Sequence, residues 1–305
     1  MNATLPNFFI VGAAKAGTTS LHYYLQQHPD IFLPSMKESF FFSGFRRNSF
    51  NGIGSEYGHD IVEELDSYKK LFQDVKNEKA IGEACVAYLY FFERTINNIR
   101  TYLKETPKIV IVLRDPAERA FSNYRHHVRD RIENLSFAQA IEHSTLEKRK
   151  NERWWWGFQY IDVGYYYNQV NAYIKAFGND NVKIYLYEDL EENTHEVINN
   201  LFGFLGLTNN LRPDITARYN VSEIPRSDSL QNFLYSKDDK LKRALRPVVL
   251  NILGRENTER LVNYFKNKNL LRMKSGTRRR LIRLYKDDIL RLESLIDRDL
   301  SAWMR

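Results

Sequence analysis

A single cysteine, Cys85, stands among 305 residues. An internal disulfide is therefore excluded, and the chain suits a reducing compartment, most simply a cytosol. No stretch approaches the roughly 18 consecutive apolar residues of a membrane span. The first core-type run begins at Phe8, too early for a cleaved signal sequence. These features predict a cytoplasmic protein. The seven histidines show no metal-ligand spacing, so no metal is expected. Their one adjacent pair, His126-His127, reads as solvated helix surface. Internal repeats, low-complexity tracts and flexible linkers are missing. So are helix-turn-helix, finger and RNP-type motifs, which argues against a nucleic-acid partner.

What is present suffices for a folded domain. Hydrophobic residues make up 43% and aromatics 14%, enough for a substantial core. A charged fraction of 27% and a mean hydropathy of −0.52 fit a soluble chain. The length accommodates one large α/β domain or two smaller ones. The net charge of +7 suggests anionic partners. Basic residues gather in 119–153 and at Lys274, Arg278, Arg279, Arg280 and Arg283, where they read as solvated helix faces.

Short apolar runs at 8–12, 79–84, 108–113 and 182–187 read as strands. The nearly continuous β-branched run 109–113 suits a strand buried on both faces of a parallel sheet. Helical patterns lie between and after them at 18–27, 61–72, 91–104, 116–129 and 164–177. The alternation predicts a doubly wound α/β fold, a parallel sheet flanked by helices, with ligands at the C-terminal strand ends. Beyond residue 191 the pattern turns helical, with a helix over 194–205, a polar loop over 209–228 and a last helix around 282–303. The expectation is one domain, with an α/β core over 1–207 and a loop plus C-terminal helices over 208–305.

The run Phe8-Phe9-Ile10-Val11-Gly12 leads into Ala13-Ala14-Lys15-Ala16-Gly17-Thr18-Thr19-Ser20. A strand, a loop of small residues and a hydroxyl-rich helix start form a phosphate cradle of backbone N–H groups. Gly12 and Gly17 keep the spacing of GxxxxGK[ST], yet Thr18 stands where that motif has lysine, and Lys15 lies inside the loop. An ATP β/γ-phosphate pair is therefore disfavoured. A second anion site opens at Arg114-Asp115-Pro116. Asp115 suits an N-cap, Pro116 the first helical position, and Glu118 a capping box, leaving Arg114 at the strand tip and Ser122 two turns on. Arginine can grip a phosphate by two parallel hydrogen bonds. Two anion sites on two strand tips imply a nucleotide with two separate phosphates.

Lys15-Ala16-Gly17-Thr18-Thr19-Ser20-Leu21, followed by Arg114-Asp115-Pro116 and Ser122, resembles the two nucleotide signatures of sulfotransferases that use 3′-phosphoadenosine 5′-phosphosulfate (PAPS). His28-Pro29, Lys37-Glu38-Ser39-Phe40-Phe41-Phe42, Ile81-Gly82-Glu83, Tyr185-Leu186-Tyr187-Glu188-Asp189-Leu190, Phe204-Leu205-Gly206-Leu207 and the tail 285–303 resemble further landmarks of the carbohydrate, heparan-sulfate-type branch. The resemblance spans about residues 7–303 and implies a P-loop-like fold and a PAPS-dependent transferase acting on a carbohydrate-containing acceptor. It assigns Lys15, Ala16, Gly17, Thr18, Thr19 and Ser20 to the 5′-phosphosulfate, and Arg114 and Ser122 to the 3′-phosphate. Tyr187 falls near the nucleotide. Arg226, in a loop that closes over it, is a second 3′-phosphate candidate. No metal is required, and PAP is the product.

The cytosolic small-molecule branch uses a histidine after the third strand, where this chain reads Glu83-Ala84-Cys85-Val86-Ala87-Tyr88. The carbohydrate branch uses a glutamate, matched by Glu38, and a carboxylate desolvated by Phe40, Phe41 and Phe42 becomes a better proton acceptor. Glu83 stands as an acceptor-binding or relay candidate. Ala84 and Phe40 replace the lysine and histidine usual in that branch, and both changes remove polar groups from the expected acceptor side. Trp154-Trp155-Trp156 cannot all enter a core, so at least one, with Trp155 central, should meet ligand, partner or membrane. The basic helices and tryptophans also allow peripheral contact with a membrane leaflet. A lipid, polyketide or small alcohol remains an alternative acceptor, a non-catalytic nucleotide-binding protein an alternative class, and a monomer or homodimer the expected assembly.

Overall fold

The computed structural model describes residues 5–207, 211–216 and 272–305; Arg226 and most of the polar loop lie outside them. Five parallel strands form one sheet: β1 (Phe8–Gly12), β2 (Ile31–Phe32), β3 (Ala80–Ala84), β4 (Lys108–Leu113) and β5 (Val182–Leu186), in the order β2-β3-β1-β4-β5. Four of these match the apolar runs. β2 is new, because two residues paired to Ala80 and Ile81 at the sheet edge are too few to make a pattern. β1 and residues 109–113 are wholly buried, as their β-branched and aromatic composition requires. Phe8 lies opposite both Gly82 and Lys108. Its ring covers Gly82 so closely that a Cβ there would stand 2.1 Å from it, which explains glycine in mid-strand. From β1 the chain passes to β2 at one edge, returns to β3 beside β1 and then crosses to β4 on the other side, so the gap between β1 and β4 is the switch point of the sheet.

The helices are α1 (Thr18–Leu25), α2 (Leu65–Lys70), α3 (Ala87–Tyr90), α4 (Phe92–Tyr102), α5 (Pro116–Arg129), α6 (Phe137–Ala140), α7 (His143–Asn151), α8 (Tyr166–Phe177), α9 (Tyr187–Glu192), α10 (Thr194–Phe204) and α11 (Ser275–Ile296). Among the described residues no helix is long and apolar enough to cross a membrane. Several boundaries differ from the sequence pattern for local reasons. α2 starts four residues late because Val62 N–H donates to Ser39 O at 2.9 Å and keeps that stretch out of the helix. The run expected to be strand through Tyr187 stops at Leu186, whose N–H donates to Asp189 Oδ2 at 2.8 Å and opens α9. Asp115 caps α5 as expected, accepting from Ala117 and Glu118 N–H. Glu118 does not close the capping box: its carboxylate takes Arg278 instead, at 3.0 Å.

α11 begins seven residues earlier than its apolar pattern suggests. The cations that read as solvated are partly docked: Arg278 bridges Asp115 and Glu118, and Arg280 holds Glu142 at 2.6 Å. Further along, Asp288 supplies α8 with the cap its own sequence lacks, accepting from Tyr166 N–H at 2.8 Å and Tyr167 N–H at 3.2 Å. Tyr285 Oη donates to Ile161 O at 2.9 Å beside it. Asp288→Ala therefore destabilises the fold by about 1 kcal/mol, as loss of an N-cap does. A urea midpoint shift measures this, and Asp288→Asn, which keeps an acceptor, shifts it less.

Candidate functional site

The loop between β1 and α1 is folded by its own backbone. Ala13 N–H donates to Val112 O at 2.6 Å, and Ala16 N–H to Ala13 O at 3.3 Å. Lys15 and Gly17 take left-handed conformations, φ +66° and +84°. Gly17 is the N-cap of α1 and provides no side-chain acceptor to its first turn. A Cβ on Gly17 would stand 3.3 Å from the Tyr187 ring, so glycine answers both the φ and the close approach. Arg114, at the tip of β4, donates from Nη1 to Lys15 O at 3.0 Å. Its guanidinium lies 4.4 Å over the Tyr187 ring, at the start of α9. Three neighbouring strand tips thus bring a helix N-terminus, an arginine and a tyrosine together.

These groups open on one cleft of about 1020 Å³. Of the residues proposed from sequence, Lys15, Gly17, Thr18, Thr19, Ser20, Glu38, Phe40, Arg114, Ser122, Trp155 and Tyr187 line it. Ala16 does not: its side chain is fully buried and its N–H is spent on the turn. Burial, then the nearby Arg129 charge, lowers the Lys15 pKa to about 8, against the pull of Asp130 and Glu38.

Glu38 sits on a tight turn after β2, at φ +73°, with Phe40 at +59°. Its N–H donates to Ala84 O at 3.1 Å, and its carboxylate accepts from Lys37 Nζ at 2.9 Å. The phenylalanines do not wrap it as expected. Phe41 stacks on Tyr68 at 4.4 Å and Phe42 packs edge-on to Phe9 at 5.1 Å, both in the core. Only Phe40 shares the cleft, and a quarter of the Glu38 side chain stays exposed. Glu83 is not a cleft residue. It is 1% exposed and accepts from Ser39, from Tyr68 at 2.6 Å and from Tyr88 at 2.8 Å. Burial pushes its pKa up, against the three hydroxyl donors. The acceptor-binding reading of Glu83 gives way to a scaffolding one.

The histidine pair also needs correcting. His126 and His127 both line the cleft, and His127 is 2% exposed, stacked 4.1 Å from Phe158. Burial lowers the pKa of both. Arg129 Nη2 donates to His126 Nδ1 at 2.6 Å, which sets the imidazole proton on Nε2. Tyr57 Oη donates to Asp130, and it lies about 6 Å, ring to ring, from both His126 and Trp155. The missed signal was helical spacing. Ser122, Arg125, His126 and Arg129 recur at three and four residues and share one face of α5. Of the three tryptophans, Trp155 and Trp156 are nearly buried and wall the cleft. Trp154 packs on Phe158 at 5.0 Å and under Arg149 at 4.9 Å.

Fold and site together define an α/β protein with a β-loop-α cradle opening on a cleft at the strand tips and an arginine on the adjacent tip. Residues 5–249 match the family model described as the sulfotransferase domain, and the chain belongs to that family. It is 33% identical to a sulfotransferase crystal structure from Alicyclobacillus acidocaldarius, with a TM-score of 0.77 over 99% of this chain and 100% of that one. It is 38% identical over 124 residues to the membrane-associated sulfotransferase kil1 of Dictyostelium discoideum, covering 41% of this chain and 23% of that protein. Over 227 residues it is 27% identical to the bifunctional heparan sulfate N-deacetylase/N-sulfotransferase 2 of Bos taurus, covering 70% of this chain and 23% of the relative. The chain thus spans under a quarter of the length of these curated relatives.

Proposed function

We propose that this protein transfers a sulfuryl group from PAPS to a hydroxyl or amine of a carbohydrate-containing acceptor. One observation carries the reading: the β1–α1 cradle with Lys15, Arg114 and Tyr187 meet at one cleft, and Glu38 lines the same cleft. On this reading the α1 N-terminus, Thr18 and Thr19 hold the 5′-phosphosulfate, while Arg114 and Ser122 hold the 3′-phosphate. The acceptor enters between Glu38, Phe40, Trp155 and Trp156, where indole faces suit a sugar ring. Glu38 takes the acceptor proton as the acceptor heteroatom bonds to sulfur. The bond from sulfur to the bridging phosphate oxygen breaks, and PAP departs with its charge met by Lys15. The carbohydrate acceptor is supported by relatives whose names specify heparan sulfate and carbohydrate sulfotransfer. Residues 208–305 then act as the closing and capping part of the same domain, and a cytoplasmic location fits the composition.

Calorimetry with PAP and with AMP tests the donor. PAP binds and AMP, lacking the 3′-phosphate, binds much more weakly; equal affinities would refute the two-phosphate site. Arg114→Ala weakens PAP by about 1.5–3 kcal/mol, the range for charged hydrogen bonds, and leaves AMP nearly unchanged. PAP release from PAPS, followed over a panel of neutral and aminated glycosides, desulfated glycosaminoglycans and simple alcohols, identifies the acceptor class.

A further inference from the structure

The Glu83 carboxylate is buried, carries no ion pair among the described residues, and is held by three hydroxyls alone. Burying such a group is costly, and an apolar side chain would pack the same space with less penalty. What distinguishes the three donors is where else they reach. Ser39 Oγ accepts from Phe41 N–H at 3.2 Å, and Tyr88 Oη accepts from Phe42 N–H at 3.1 Å. The Tyr68 ring lies stacked on Phe41, only 15° from parallel. Each residue that donates to Glu83 therefore also fastens residues 39–42, Ser39 and Tyr88 through their hydroxyls and Tyr68 through its ring. That turn needs fastening, since Glu38 and Phe40 both carry side chains at positive φ, a conformation that persists only where the surroundings impose it. The same strand end adds the bond from Glu38 N–H to Ala84 O, one residue past Glu83.

We infer that Glu83, acting through Ser39 and Tyr88, is a positioning residue that holds the strained Lys37–Phe41 turn so that the Glu38 carboxylate faces Lys15 in the cleft. The inference rests on Glu38 being the acceptor base. Ser39 is the link, adjacent to Glu38 in the chain and bonded to Glu83 across it. Removal of its hydroxyl frees the turn to relax while Tyr68 and Tyr88 still satisfy the carboxylate.

The test compares Ser39→Ala, Ser39→Thr, Glu83→Gln, Glu38→Gln and the double variant Ser39→Ala/Glu38→Gln. Turnover is read as PAP release from PAPS with the best acceptor of the panel, and PAP affinity by calorimetry. Ser39→Ala and Glu83→Gln lower kcat at least tenfold, with PAP affinity and the KM for PAPS within twofold of the parent. Ser39→Thr, which keeps the hydroxyl, recovers most of the loss. The double variant falls no lower than Glu38→Gln alone, since a positioning residue has nothing left to position. A crystal of Ser39→Ala with PAP shows the Glu38 carboxylate displaced from Lys15. Should Glu83→Gln fail to fold, Ser39→Ala carries the test unaided. Parental kcat in Ser39→Ala beside a crippled Glu38→Gln overturns this inference alone. So does a further tenfold loss in the double variant. Parental kcat in Glu38→Gln removes Glu38 as base, and the inference with it.

Discussion

Lys15→Ala loses about 10²–10³ in kcat, the cost of removing one donor aimed at charge that develops in a transition state. The argument starts from where the ammonium is kept. Lys15 stands inside the cradle at φ +66°, largely desolvated, with Arg129 and Arg114 nearby. Burial and these like charges make the free protein a poor host for that cation, so its pKa falls to about 8. A departing phosphate oxygen supplies the missing counter-charge, which is strongest late in the reaction. The kcat loss therefore exceeds the loss in PAP affinity. A proton signature follows. A bound polyanion raises the Lys15 pKa above 8, so PAP binding near pH 8.5 takes up a proton, and affinity declines as pH climbs further. Calorimetry in buffers of different ionisation enthalpy detects the uptake in the parent and none in Lys15→Ala. Stability carries the opposite sign. Because the folded pKa lies below the ordinary 10.5, the unfolded chain binds more protons between about pH 8 and 10.5. Folding stability gains from this group as pH rises through that window, and its burial cost is felt in full below pH 8. Equal proton uptake by parent and variant would show that another group titrates.

How much of this was legible in the sequence depends on whether the signal was local. The cradle was legible because Gly12, Gly17 and the two threonines form a backbone device within ten residues. Arg114 was legible because Asp115 and Pro116 fix the strand-to-helix boundary and hence the strand tip. The sheet was legible except for β2, which has only two residues. Glu118 and Arg278 were misread because both are satisfied across 160 residues, Glu118 by α11 and not by its own cap. The charges at 274–283 therefore resembled a wet surface although two of them are docked. His126 and His127 were misread because adjacency says nothing about depth. Their spacing from Ser122, four and five residues on, places both at the cleft, His126 on its face and His127 nearly buried in its wall. Glu83 was noticed for its chemistry but misplaced, since nothing in its neighbourhood announces that Ser39 and Tyr68 come from 44 and 15 residues away to enclose it.

Glu38→Gln is the sharper probe of mechanism, because it keeps size and hydrogen-bonding reach and removes only the capacity to take a proton. The expected loss in kcat is 10²–10⁴-fold, the usual worth of a positioned general base, roughly 3–5 kcal/mol of transition-state stabilisation. PAP affinity stays near the parental value, because the cradle, Arg114 and Tyr187 contact one another without involving residue 38. The salt bridge to Lys37 is lost, but both partners are partly exposed, so fold stability changes by well under 1 kcal/mol. The acceptor reveals the rest. An amine that is already deprotonated at high pH has less need of a base than an alcohol has. The Glu38→Gln deficit therefore narrows with rising pH for an amine acceptor and stays constant for a hydroxyl. Undiminished turnover with every acceptor of the panel would exclude Glu38 as the base, and His126 could not take its place as it stands, since its Nδ1 already accepts from Arg129 and its Nε2 carries the proton.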